Sequence, residues 1–496
     1  MNFRKISFYP AQIIFLLPLI FILLLAGCGG GGSSSGGAAS TATLTSITIT
    51  QTAASIPAGT NVSLTAMGTY SDQTSANLTT QVVWSSADTN IASVGAGTGV
   101  VRGVVAGTTT ITATYQGKSA HISVSVSSGG GGAATKNLAT ARYEHTADIL
   151  FAGLGNESVL VAGGYGADLT GKAVALNSAE LYDPVTDTWT SAAPFVTARG
   201  DHTSTQLLNG QVLLIGGANA GENYIASSEL YIPNSGWVQA DSLVEGRTYH
   251  TSTLLKDGTT VLAVGGEGNA SANLASSELY DSTVDNGANK GTWKATGSLN
   301  EGRNTHSATL LPNGKVLVVG GHGGVVLPGS GVVGSSGTAL VSAELYDPAS
   351  GKWTATGSLH AGRYGHTATL LSNGKVLVAG GYDTNDTAQS SAELYDPATG
   401  NWSLVGSLNT ARAGHTATLL GTGKVVVMGG EIKRGIETKS TEMYDPASGN
   451  WTATADLVTA RDLFTATLLS GGKVLVSGGT DEASSSVALD NTELYW

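Results

Sequence analysis

The residues of this chain that could do chemistry recur at regular intervals. Histidines stand at His145, His202, His250, His306, His366 and His415, each three residues after an arginine, and Phe464 fills the seventh place. A ring of imidazoles invites a metal, yet a metal needs three or four ligands about 2 Å from one point. Side chains repeated once per structural unit are spread around the molecule instead, and Phe464 in the same slot points to packing. The arginines are Arg142, Arg199, Arg247, Arg303, Arg363, Arg412 and Arg461; each is followed by a glutamate, Glu180, Glu229, Glu278, Glu344, Glu393, Glu442 or Glu493. A buried carboxylate requires a partner, and the repeated arginine is the obvious one. The expectation is a structural ion pair in every unit. The alternative is a set of arginines facing a binding surface and attracting an anion.

The residues that vary between units carry the functional expectation. Tyr143, Asp201, Tyr249 and Tyr364 lie between an Arg and its His, whereas Tyr165, His322 and Tyr382 directly follow a glycine pair. Rigid aromatic rings with scattered carboxylates suit a sugar or a peptide, so these seven form the expected ligand face. Asp201 and Asp462 are a candidate carboxylate pair for proton transfer. The acidic stretches 281–285 and 383–386 lack the spacing of a dedicated calcium loop. There is no nucleophile elbow, phosphate loop or H-E-x-x-H zinc motif. No catalytic residue, cofactor or metal is assigned. The uncharged, Gly- and Val-rich stretch 322–341 is a candidate partner contact.

These residues sit in a phrase repeated at intervals of 48 to 60 residues: Arg-x-x-His, a short strand ending in Gly-Gly, Glu-Leu-Tyr-Asp-Pro, then Trp. A period near fifty with four strand-like pieces per unit is the sequence signature of a propeller blade. In the fifth block, Thr-Ala-Thr-Leu-Leu alternates with period two, Ser372-Asn373-Gly374 turns, and residues 375–379 return as an apolar strand buried on both faces. Gly380-Gly381 ends it, where backbones approach or φ is positive. A turn with Pro397 at its second position leads to an outer strand starting at Trp402. The blocks resemble the kelch repeat, which carries a Gly-Gly pair, a later Tyr and a Trp. That resemblance implies scaffold roles for Gly163, Gly164, Trp189, Trp353, Trp402 and Trp451. The last block stops at Glu493-Leu494-Tyr495-Trp496 without a fourth strand, so residues 133–138 are expected to supply it. The alternative is a six-bladed ring with a stray fragment.

The fold class is therefore all-β: a seven-bladed kelch-type β-propeller (136–496) preceded by an Ig-like β-sandwich (44–127), with a Gly-rich linker at 128–135. Expected sandwich strands cover 44–50, 62–70, 82–85, 109–115 and 119–126. Trp84-Ser85-Ser86, Ile91-Ala92-Ser93-Val94 and the run 107–113 resemble the bacterial Ig-like domain of group 2, which implies a stalk or adhesion module. Ahead of it, 28–43 reads as a flexible Gly/Ser tether. Residues 1–27 read as an export signal: Arg4 and Lys5 precede an apolar run over 13–25. Leu25-Ala26-Gly27-Cys28 resembles the bacterial lipoprotein signal, implying acylation of Cys28; an ordinary signal peptide or short anchor is the alternative.

Cys28 is the only cysteine, so no intramolecular disulfide forms. The kelch family includes a copper oxidase that needs a cysteine cross-linked to tyrosine; a lone cysteine in the leader excludes that chemistry. The net charge of −12 argues against nucleic acid, which needs a concentrated basic surface. The expectation is a monomeric, lipid-anchored protein of the bacterial cell envelope, at the outer membrane or cell surface. Its propeller face would recognise a glycan or protein. The alternatives are a carbohydrate isomerase or lyase, and a structural envelope component.

Overall fold

The computed structural model describes residues 42–50, 55–57, 61–104, 107–127, 132–151, 157–168, 171–219, 224–269, 272–285, 287, 290–323, 338–481 and 487–495. The leader with Cys28, most of the tether, half of the Gly-rich linker, the centre of the 322–341 stretch and Trp496 lie outside them. The described residues are all-β, with no α-helix.

The N-terminal unit has three sheets. Leu44–Thr50 pairs with Thr65–Tyr70, and Lys118–Ser127 pairs with Gly107–Tyr115, which in turn pairs with Val83–Ser86. A third sheet joins Asn61–Ser63, Val100–Gly103 and Ala92–Val94. Alternate residues of these strands point inward, and Trp84 is buried in the shared core with Leu64, Ile111 and Val124. Its indole N–H donates to the Thr79 carbonyl at 2.9 Å, which satisfies the one polar atom that burial would otherwise orphan.

The propeller region holds seven four-stranded antiparallel sheets. In the fifth, the strands are Thr367–Leu370, Val376–Ala379, Ala392–Asp396 and Asn401–Leu404, paired in sequence order. The last four residues of the second strand are buried in every sheet, because this apolar run packs against sheets on both sides. The tyrosine of the third strand stands directly opposite the tryptophan of the fourth, as in Tyr395 and Trp402, with ring centroids 5.0 Å apart. Each such tryptophan bonds back to the preceding sheet: Trp402 Nε1 donates to the Gly357 carbonyl at 2.7 Å, and Trp451 Nε1 to that of Gly406 at 2.8 Å.

The glycine pairs explain how neighbouring sheets join. Both residues of each pair have positive φ, 63° and 95° at Gly380 and Gly381, a region that L-residues with a Cβ seldom adopt. A Cβ on Gly380 would also lie 2.4 Å from the Arg412 carbonyl of the next sheet. The N–H of the second glycine donates to that carbonyl at 2.9 Å. The same bond runs from Gly479 to Arg142 at 2.9 Å, so the last sheet joins the first.

The last sheet is completed from the other end of the propeller region. Gly132–Ala134 pairs antiparallel with Thr492–Tyr495, Ala133 facing Leu494. The strand shares residues 133–134 with the segment expected at 133–138 and starts one residue earlier, so residues 132–134, read as linker, belong to the last sheet.

Candidate functional site

The arginines and glutamates are interior. All seven arginines are fully buried, and each reaches the glutamate of its own block at 2.7 to 3.1 Å. Arg363 Nη1 donates to the carbonyls of Gly380 and Ser391, and its Nη2 donates to Ser391 Oγ and Glu393 Oε1. Glu393 in turn accepts the backbone N–H of His360 at 3.0 Å, fixing the chain that enters the blade. A buried pair needs such further hydrogen bonds, and of the Arg363 nitrogens only Nε is left without a partner. No arginine of the set faces a ligand.

The histidines also belong to the scaffold. Each Nε2 meets a hydroxyl on the innermost strand of the preceding blade: His202 with Thr146 at 3.2 Å, His366 with Ser307 at 2.8 Å, His415 with Thr367 at 3.1 Å, and His145 with Thr465 at 3.0 Å across the closure. Burial holds all six imidazoles neutral, pushing their pKa values down, to about 3 at His202 and His366. Phe464 breaks the series, and Thr416 Oγ1, its would-be partner, is buried without a hydrogen bond.

The two residues between Arg and His do something different. The first pairs with the residue after the glycine pair of the same blade, giving Tyr143 opposite Tyr165, Tyr364 opposite Tyr382, and Asp462 opposite Thr480. The second has positive φ in every blade: 52° at Glu144, 52° at Asp201, 49° at Tyr249, 49° at Thr305, 61° at Gly365, 62° at Gly414 and 50° at Leu463. Backbone bonds link these residues from blade to blade, as from Glu144 N to Leu463 O (3.0 Å) and from Gly365 N to Thr305 O (3.2 Å). Non-glycine residues in this region are strained, and strain of this kind gathers where a site is held in place. The ring is lopsided. Side chains stand on one arc, at Glu144, Asp201 and Tyr249, while Gly365 and Gly414 leave another arc bare.

On the occupied arc, Tyr143, Glu144, Tyr165, Asp201 and Tyr249 line a pocket of about 250 Å³ with Ala173 and Asn219. Tyr143 and Tyr165 pack with centroids 5.6 Å apart, and Tyr249 is 42% exposed. Desolvation raises the Asp201 carboxyl, and the neighbouring Glu144, Tyr165 and Tyr249 side chains offset part of that rise; the Tyr165 hydroxyl donates to the Ala218 carbonyl at 3.3 Å. Glu144 is held well above the usual carboxylate range, first by desolvation and then by the charges of Asp201 and Asp462. The site thus holds two carboxyl groups, both raised by desolvation, among three tyrosine rings. The sequence pairing of Asp201 with Asp462 missed Glu144, which lies between them.

Four of the seven expected ligand-face residues meet in this pocket: Tyr143, Tyr165, Asp201 and Tyr249. The other three form a separate stack, His322 edge-on to Tyr364 (5.2 Å) and Tyr364 beside Tyr382 (5.5 Å). Tyr364 and Tyr382 are 8% and 4% exposed, so they do not offer a ligand surface. Their hydroxyls are committed, to Asp386 and Glu431 respectively, and the Arg434 guanidinium covers the Tyr382 ring at 4.6 Å. The hairpin carrying Arg434 closes over them, which periodicity alone does not reveal. The acidic stretches are used locally: Asp383 Oδ1 accepts the N–H of Asn385 and Thr387, and Asp285 pairs with Lys290.

Sandwich, propeller and mouth together define a binding or interaction protein. Residues 43–125 carry a bacterial Ig-like domain (group 2), and residues 152–195 and 363–409 carry the kelch motif. A 73-residue stretch is 51% identical to Ice-binding protein 1 of Shewanella frigidimarina (strain NCIMB 400), covering 15% of this chain and 8% of that protein. Among solved structures, the chain is similar to a fungal alcohol oxidase of the AA5 family in complex with copper, with TM-score 0.57 and 18% identity over 74% of this chain and 76% of that one. At that identity the likeness is one of fold.

Proposed function

We propose that this chain is a lipid-anchored envelope protein that binds a glycan in the pocket of Tyr143, Glu144, Tyr165, Asp201 and Tyr249. Acyl chains on Cys28 hold it to the membrane, and the Ig-like domain serves as the stalk. The carrying observation is the pocket itself, where aromatic faces surround a carboxylate pair on an otherwise repetitive scaffold. Tyrosine rings stack on the C–H faces of a sugar while their hydroxyls and Asp201 take its O–H groups. A glycan array probed with the full-length protein tests this reading; a glycan-negative array with a captured protein partner would replace it.

One observation favours a second reading. Glu144, held well above the usual carboxylate range beside Asp201, puts two carboxyl groups of unequal proton affinity in one site, the equipment of a carbohydrate isomerase or lyase. Turnover assays on any bound glycan separate the two readings. Product formation abolished by Asp201→Asn supports the enzyme, whereas binding without turnover removes it.

A further inference from the structure

The bare arc of the mouth faces a second group of carboxylates. Oxygens of Glu431, Glu437 and Asp462, all buried, lie within 4.8 Å of one another. Glu431 and Glu437 stand opposite each other on the two arms of a hairpin, Glu431–Lys433 and Ile436–Glu437. Asp462 comes from the next blade, where Thr480 Oγ1 donates to it at 2.6 Å. Like charges directly across a strand pair repel, and burial removes the water that would screen them. Glu437 shows this most plainly: it is 8% exposed, and neither of its carboxylate oxygens has a hydrogen-bond partner. Arg434, on the same hairpin, is turned away, its Nη2 donating to Tyr364 at 2.9 Å and lying 3.6 Å from Asp386.

We infer that Glu431, Glu437 and Asp462 bind a hard divalent cation of the calcium type, joining the sixth and seventh blades at the mouth. Calcium takes oxygen ligands at about 2.3–2.6 Å, so two of its ligands can stand up to about 5 Å apart, and the three oxygens fit around one ion. An all-carboxylate set disfavours zinc and copper, which prefer nitrogen and sulfur donors. Periodicity does not reveal this site, because Glu431 and Glu437 lie on one variable hairpin and Asp462 comes from the next repeat.

The test is calorimetric titration of the chelator-treated full-length protein with CaCl₂, and separately with MgCl₂ and MnCl₂. The expected result is one saturable site that prefers calcium and raises the melting temperature. Glu437→Gln should weaken binding by about tenfold or more while leaving melting in chelator unchanged or higher, since a buried like charge is gone. Asp462→Asn provides the same test should the first variant fold poorly. Absence of saturable binding by the wild-type protein would overturn the inference. So would calcium binding that survives either substitution undiminished.

Discussion

Asp201 N donates to the Glu144 carbonyl at 3.3 Å, and the two side chains line one pocket at the propeller mouth. Desolvation raises both carboxyl groups, Glu144 the more strongly, and the charge of Asp201 raises Glu144 further. The raised pKa of Glu144 means that the folded state prefers the protonated form, so this contribution to stability is full below the ordinary glutamate value and is lost as pH rises through the raised one. Carboxyl NMR of glutamate-labelled protein should show one glutamate titrating well above the rest. In Asp201→Asn that resonance should move back toward the ordinary range; an unchanged midpoint would refute the pairing.

Acid should act on the scaffold in the opposite sense. The six buried histidines have depressed pKa values, first through desolvation. Unfolded histidines take up protons below about 6.5, so stability is present above that value and is lost as pH falls toward the depressed folded values, about 3 at His202 and His366. The melting temperature should drop steeply between about pH 6.5 and 4. His366→Phe, the substitution Phe464 already makes in its own blade, should make that drop shallower.

The hydroxyls facing these histidines offer a matched comparison. Thr367 Oγ1 meets His415 Nε2 at 3.1 Å, whereas Thr416 Oγ1 has no partner. Thr367→Val should cost about 1–3 kcal/mol, because it leaves a buried imidazole nitrogen unpaired. Thr416→Val should be neutral or stabilising. Chemical denaturation of the two variants measures the difference directly.

Breaking one buried ion pair should be severe. Arg363→Met leaves Glu393 buried and charged, and the expected loss is about 3–5 kcal/mol. Adding Glu393→Leu should return part of that loss, though not all, because the N–H of His360 then loses its acceptor. A single-variant loss below about 1 kcal/mol, the scale of a surface pair, would contradict the buried geometry.

Closure of the ring rests on a three-residue strand. Gly132–Ala134 supplies the outer edge of the last sheet, and its removal exposes the backbone of Thr492–Tyr495. Deleting residues 132–138 should lower the melting temperature and promote association through the bared edge. An unshifted transition would show that the strand contributes nothing.

Much of the scaffold could be read from the sequence, and the reason is repetition. A strand such as Val376–Ala379 announces itself by its apolar run, and Gly380-Gly381 by recurring wherever two backbones meet. The mouth was only partly legible. Tyr143, Tyr165, Asp201 and Tyr249 stood out as departures from the repeat, but Glu144 did not, because its role depends on a left-handed turn that no periodicity encodes. Tyr364 and Tyr382 looked alike in sequence and are buried, since the hairpin carrying Arg434 folds over them. Glu437 lies in a variable loop, where position relative to the phrase says nothing about neighbours.

The claim that the Tyr143–Asp201–Tyr249 pocket is the ligand site is tested most directly by titrating the wild-type and Tyr249→Ala proteins with an array-identified glycan. The account predicts that Tyr249→Ala weakens binding by about tenfold or more, the loss of one stacking contact worth about 1.5 kcal/mol, with melting little changed because this side chain is 42% exposed and outside the core. Equal affinity of the two proteins for the same glycan would contradict it.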